Sequence, residues 1–351
     1  MAQRKRNYTN YYYFCNIMTA RKKIIFIMNP ASGTSSKAGM PKIIESVIDK
    51  SLYDFSIAET RYSGHACEIA AEAASEGAFA VVAVGGDGTV NEVGRAVAGS
   101  QTALGIIPCG SGNGLARHLM LPMDARKALA VINAGVVHAL DYGIINGKPF
   151  FCTCGMGFDA FISMKFAEAG KRGPATYLEN ILREGLRYRP EIYEITADSG
   201  NTSTSRAFLI SCANASQYGN NAYIAPAASM NDGLLDVTIM EPFDMIEAPQ
   251  LSIDMFNKTL DKNPRIKTFK TQNLHVKRQS PGLIHFDGDP VMDSADVDIS
   301  VVKAGVNVIV NSRARKSRRR PLPVQTAFSV FFNDIIATLT DKHEANKKRT
   351  E

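Results

Sequence analysis

Two stretches carry residues suited to holding a phosphate. Residues 80–91 read AVVAVGGDGTVN, so a small apolar run opens into Gly85-Gly86-Asp87-Gly88-Thr89 and helix-compatible sequence follows. Residues 102–114, TALGIIPCGSGNG, repeat the design. Glycines just past a strand let backbone N–H groups approach a phosphate closely. A helix beginning near Thr89 adds a partial positive charge and unpaired N–H groups. Asp87 stands where a carboxylate could hold a divalent cation on the phosphates or align a hydroxyl. A third loop, Asn29-Pro30-Ala31-Ser32-Gly33, follows the first apolar strand. A plain strand-to-helix turn explains any one of these loops. Three on consecutive strands point to a polyphosphate gripped between them. Neither stretch is GxxxxGK[ST], and 85–91 fails GxGxxG because Asn91 stands at its last position.

The elements that must carry these loops alternate. RKKIIFIMNP (21–30), DFSIAET (54–60), FAVVAV (79–84) and TALGIIP (102–108) read as strands. Between and after them, 35–50, 64–77, 89–99, 111–119 and 124–135 read as helices. Strands alternating with helices imply a doubly wound parallel sheet, with ligands beyond the carboxyl ends of its strands. From about residue 136 the rhythm changes. Residues 136–154 read as a hairpin turning at Asn146-Gly147, and 156–188 as helical. Short strands follow at 191–198, 206–214, 234–240, 273–278, 283–288 and 297–302. The expected fold is therefore α/β: a doubly wound parallel-sheet nucleotide domain, then an antiparallel β-sandwich domain. The expected boundaries are a flexible extension (1–18), the α/β domain (19–135), the β-rich domain (136–311) and a basic tail (312–351), with the strand at 306–310 free to return to the first domain.

The 351 residues suffice for two cores, and 45% hydrophobic with 21% charged residues describes a globular chain. No run is long and apolar enough to span a membrane, and residues 1–18 lack the apolar core of a signal peptide. Six cysteines without a CxxC pair argue against a zinc ribbon or disulfide scaffold and suit a reducing cytoplasm. Nucleic acid is not an expected partner, because nothing beyond charge supports it. Cys152 and Cys154 read as core residues, and His65 and His118 as capping or packing residues. GMGFDA (155–160) matches GxGxxA, yet no acidic residue ends a following strand, so it reads as a structural or substrate-adjacent turn.

NPASG, the Thr60–Ala66 stretch TRYSGHA, GGDGTVNEV, PCGSGNGLA, GMGFDA, YGNN (218–221), MNDGLLDV (230–237) and FDGDP (286–290) occur in that order. Together they resemble the catalytic domain of the diacylglycerol kinase and sphingosine kinase superfamily, with the soluble bacterial lipid kinases nearest. The resemblance spans roughly residues 20–310. It implies an ATP- and Mg²⁺-dependent kinase that phosphorylates a hydroxyl of a membrane lipid, diacylglycerol before sphingoid bases or other lipid alcohols. By position it implies ATP contacts at Asn29, Thr60, Gly85, Gly86, Asp87, Gly88, Thr89, Val90, Asn91, Gly110 and Ser111. It implies a Mg²⁺ held by Asp232 with the carbonyls of Ser229 and Leu234, an oxygen set suited to a hard cation. Asp87, Asp287 and Asp289 are the implied catalytic carboxylates. The family usually has Asp-Gly-Glu where this chain has Asp287-Gly288-Asp289, so the proposed base keeps its carboxylate one methylene shorter. Taken alone, both NDG and FDGD are ordinary turns between strands. A kinase of NAD, which shares GGDGT, and a catalytically weak lipid-binding protein are the competing readings.

Beyond the resemblance, RARKSRRR (313–320) holds six of the forty basic residues. Val324, Phe328, Phe331, Phe332, Ile335 and Leu339 then fall near one helical face. That pattern suits peripheral attachment to the anionic inner face of the membrane through 313–339 by a cytoplasmic protein. A helix docked on the body, or on a second copy in a homodimer, is the alternative.

Overall fold

The computed structural model describes residues 21–30, 38–169, 188–244 and 246–314. The expectations for residues 1–18, Ala31 to Gly33, the later part of the 156–188 helical region and the tail beyond residue 314 lie outside the described residues.

Four parallel strands build the first half. They are β1 (Lys22–Met28), β2 (Tyr53–Glu59), β3 (Ala80–Gly85) and β4 (Ala103–Pro108), in the order β2-β1-β3-β4. β1, β3 and β4 are almost continuously buried, because helices cover both faces. α1 (Met40–Val47) and α5 (Ala125–Ala134) close one face over Phe26, Val82 and Ile107. α2 (His65–Ser75) and α3 (Asp87–Val97) close the other over Ile27, Val81 and Leu104. A short helix, α4 (Gly114–His118), leaves the second glycine loop.

The second half is antiparallel. β5 (Val137–Ile145) and β6 (Lys148–Phe150) turn at Asn146 and Gly147, whose φ values of 43° and 77° are those of a two-residue hairpin. One sheet orders β12 (Ile266–Thr271), β11 (Leu235–Met240), β10 (Leu209–Ala213), β7 (Thr153–Gly157), β14 (Gly282–Phe286) and β15 (Asp289–Asp293). β8 (Glu191–Ala197), β9 (Thr202–Ala207) and β13 (Asn273–Arg278) join the other. Between the sheets lies a core of Phe150, Met156, Tyr193, Ile210, Val237, Ile284 and Val297. Two helices, α6 (Phe158–Ala169) and α7 (Ala248–Asn257), also belong to this half.

The last strand, β16 (Asp296–Ile309), links the halves. It pairs antiparallel with β13 and β5 and parallel with β4 through Val308 and Leu104, so the parallel sheet runs unbroken into the sandwich. Expected as two strands, it is one, interrupted by a register shift between Val302 and Val306. Residues 206–214, expected as one strand, are two. The chain crosses from one sheet to the other at Phe208, between β9 and β10.

Candidate active site

The two glycine loops nest against each other at the carboxyl ends of β3 and β4. The N–H of Cys109 donates to Gly85 O at 2.8 Å. A Cβ on Gly110 would lie 2.6 Å from Gly86 Cα, so the two backbones meet where no side chain fits. α3 begins at Asp87, two residues before the expected Thr89, and its N-cap Gly86 provides no side-chain cap. The helix therefore offers uncapped first-turn N–H groups at the loop mouth. Thr89 Oγ1 and Asn91 Oδ1 are also buried there without a hydrogen-bond partner among the described residues.

Asp87 is held by backbone donors of the second loop. Its Oδ1 accepts from the N–H of Gly114 at 2.7 Å and its Oδ2 from that of Asn113 at 2.9 Å. It therefore staples the first loop to the second. Burial raises its carboxyl above the ordinary range against these backbone donors, and Asp287 adds to the rise. Asn113 completes the second loop by accepting from Gly110 N and donating to Gly110 O. Glu92, one turn into α3, accepts from Ala66 N at 3.1 Å and brings the Thr60–Ala66 stretch to the same helix. Thr60 sits just past β2, its N–H bonded to Met28 O. Asn29 sits just past β1, its N–H directed at Val84 O. Ser111 is exposed on the second loop.

FDGD is a two-residue hairpin turn with Asp287 at φ 50° and Gly288 at φ 89°, and Asp289 pairs with Phe286 beside it. Asp287 is fully committed. Its carboxylate accepts from Asn91 Nδ2 at 2.7 Å and from the N–H groups of Phe151 (2.8 Å), Cys152 (2.7 Å) and Thr153 (3.1 Å). Burial pushes this carboxyl up as well, against those donors. Asp287 thereby fixes the hairpin to α3, while Asp289 is exposed at the start of β15.

The expected metal ligands lie elsewhere, on the loop before β11. Asp232 Oδ2 meets the Lys270 ammonium at 2.7 Å, and Asp236 Oδ2 meets the same ammonium at 3.0 Å. Burial opposes the charge on Lys270, but the bonds to Asp232 and Asp236 outweigh it and hold the ammonium above its usual range. Ser229 Oγ donates to Asn231 Oδ1, and the N–H of Leu234 donates to Asp232 Oδ1 at 3.2 Å. Lys270 thus sets a positive charge against both carboxylates of this loop. The loop is anchored by buried Asp141, which accepts from Gly233 N (2.8 Å) and from Ala304 N (2.7 Å) in β16. Sequence reasoning missed Asp141, Lys270 and Glu92. Each acts through a partner distant in the chain.

His65 accepts from Arg61 N at the start of α2, and His118 accepts from Ser216 N. Cys152 and Cys154 are buried thiols, both pushed well up by burial, which suits core residues. No helix among the described residues is long and apolar enough to cross a membrane.

Comparison with known proteins identifies the family. The diacylglycerol kinase catalytic domain family matches residues 23–145, and the YegS C-terminal NAD kinase beta sandwich-like domain matches residues 153–297. The chain belongs to the diacylglycerol kinase catalytic-domain family and is a kinase. A diacylglycerol kinase of Mycobacterium tuberculosis is 30% identical over 247 residues, 68% of this chain and 79% of that protein. A diacylglycerol kinase of Bacillus subtilis is 30% identical over 232 residues, 64% of this chain and 76% of that protein. A crystal structure of a diacylglycerol kinase from Bacillus anthracis shares the fold, with a TM-score of 0.65 at 21% identity over 84% of this chain and 98% of the other.

Proposed function

We propose that this kinase transfers the γ-phosphoryl group of ATP to a hydroxyl of a membrane lipid, diacylglycerol first, in a Mg²⁺-dependent reaction. The observation that carries the reading is the pair of nested glycine loops at the uncapped start of α3, tied through Asn91 and Asp287 to the hairpin that presents Asp289. Gly85 to Asn91, Gly110 and Ser111 line the phosphates, which the first-turn N–H groups of α3 bind, with Asn29 and Thr60 at the rim. When bound with the nucleotide, Mg²⁺ neutralises charge on the phosphate oxygens. Asp289 takes the proton of the acceptor hydroxyl as its oxygen bonds to phosphorus. The bond from the γ-phosphorus to its bridging oxygen breaks, and ADP leaves. Asp87 and Asp287 position the two loops and the hairpin. In the β domain, Asp232 with the carbonyls of Ser229 and Leu234 would hold a structural cation. The basic run at 313–320 supports reaching the lipid at an anionic membrane surface.

Phosphate transfer from labelled ATP with Mg²⁺, offered to diacylglycerol, a sphingoid base, ceramide and NAD in parallel, tests the reading. Label in one lipid supports it and names the acceptor. Label in NAD alone, or in none, overturns it.

A further inference from the structure

A buried polar chain lies against the strand that leads into this hairpin turn, and the reaction steps above do not use it. His285 pairs with Gly155 of β7 on one side and Pro290 of β15 on the other. Its neighbour Ile284 faces the sandwich core, so His285 points to the opposite face, where α6 packs. There His285, 2% exposed, donates from Nε2 to Asp159 Oδ2 at 3.0 Å. The same oxygen accepts from Tyr218 OH at 3.2 Å. His285 Nδ1 is buried without a hydrogen-bond partner among the described residues, so Asp159 is the side chain that orients the ring.

The far end of the chain reaches the second glycine loop. A Cβ on Gly219 would lie 2.9 Å from Gly112 Cα, and Asn220 N donates to Gly112 O at 3.0 Å. A Cβ on Gly114 would lie 3.2 Å from Tyr218 O. This chain also accounts for GMGFDA. A Cβ on Gly155 would meet Asp159 Oδ2 at 2.5 Å and His285 Nε2 at 3.1 Å, so the mid-strand glycine makes room for the pair.

Resting on the lipid-kinase reading, we infer that Tyr218, Asp159 and His285 are positioning residues that hold the 286–289 turn in register with the glycine loop at 110–114. Asp287 bonded to Asn91 ties the turn to α3, and His285 bonded to Asp159 ties the strand before it to α6. Asp289 sits at the junction. A shift of the turn by a fraction of an ångström moves the base relative to a phosphate held on the loop without altering how that phosphate is held.

The test is steady-state kinetics of the full chain with labelled ATP, using diacylglycerol and a sphingoid base in mixed micelles. The proteins are wild type, Tyr218→Phe, His285→Leu and His285→Gln, each with a thermal melt. His285→Leu is expected to lower kcat roughly ten- to a hundredfold with the KM for ATP within about twofold of wild type. Tyr218→Phe, which removes only a hydroxyl, is expected to lower kcat about threefold or more with its melt unchanged. His285→Gln keeps an N–H donor near the Nε2 position and should recover kcat to within about threefold of wild type. Three results would each overturn the inference: kcat within twofold in every variant, a KM for ATP that rises in step with the loss, or His285→Gln as slow as His285→Leu. A wild type that labels neither lipid removes the kinase reading and this inference with it. An active wild type with indifferent variants removes the inference alone.

Discussion

Asn91 and Asp287 lie 196 positions apart in the chain and are joined by a 2.7 Å hydrogen bond. Asn91 stands in the helix that follows the first glycine loop, and Asp287 at the tip of the hairpin that presents Asp289. The pairing fixes the hairpin to the helix, and in the proposed reaction the acceptor side to the nucleotide side. Asp287→Asn keeps the shape but turns an amide N–H₂ toward N–H donors. It is expected to cost about 2–4 kcal/mol of unfolding free energy, read from urea titration. An unchanged midpoint would remove the structural role given to this carboxylate.

Asp289 has the opposite prediction. Asp289→Asn is expected to lower kcat about 10²- to 10⁴-fold and leave the urea midpoint in place. Asp289→Glu, which restores the family's usual residue, should retain activity. Comparable rates for wild type and Asp289→Asn would assign the base elsewhere.

Gly110 tests the nested loops. The Cβ of Gly110→Ala would lie 2.6 Å from the Cα of Gly86, a backbone atom with little room to give. Isothermal titration should show ATP affinity falling roughly tenfold or more, since the two loops must separate. Affinity within twofold of wild type would contradict the close packing.

Lys270 tests the cation proposed for the β domain. Lys270→Met leaves Asp232 and Asp236 facing each other without the ammonium, at a cost of about 1 kcal/mol in chelator, because the pair is half-exposed. Mg²⁺ should then raise the melting temperature of the variant more than that of wild type, where the ammonium competes for the same oxygens. Equal Mg²⁺ shifts in the two proteins would place the ion away from Asp232.

Asp293 sets a pH dependence. Burial acts to raise its carboxyl, but the Lys148 ammonium at 2.8 Å and the Asn146 amide at 2.9 Å outweigh it and bring the pKa to about 2. The folded value lies below the unfolded one. The stabilisation is therefore present above the unfolded pKa, near 4, and is lost as pH falls toward 2. Wild type should exceed Asp293→Asn by about 2 kcal/mol at neutral pH, with the gap closing between about pH 4 and pH 2. A gap that stays constant across that range would exclude ionisation as its source.

The parallel half was legible in the sequence because buried strands read as unbroken apolar runs and α2 and α3 run out at Gly77 and Gly99. The β half was legible in class more than in detail. β12 and β15 escaped notice because IKTFKT and DPVMD are only partly buried strands with little apolar signal. β9 and β10 read as one strand because the switch of sheets at Phe208 falls inside a continuous run. β16 read as two because Lys303-Ala304-Gly305 interrupts its pattern where it bulges. In the site, the glycine loops could be located from spacing alone. The roles of Asp87 and Asp287 could not, because their donors come from Asn113, Gly114 and residues 151–153. Gly155 was the available clue to the Tyr218–Asp159–His285 chain, since a glycine in mid-strand marks a close approach from outside the strand.

β16 also sets an order of events during synthesis. The parallel sheet leaves the edge of β4 bare until a strand made some two hundred residues later arrives to pair with it. The parallel half emerges first from the ribosome, and the edge of β4 waits for nearly all of the β half to follow. Pairings this distant are slow to form and leave an open strand edge exposed in the interval. The growing chain would present that edge to chaperones, or to other copies of itself, until residue 309 had been added.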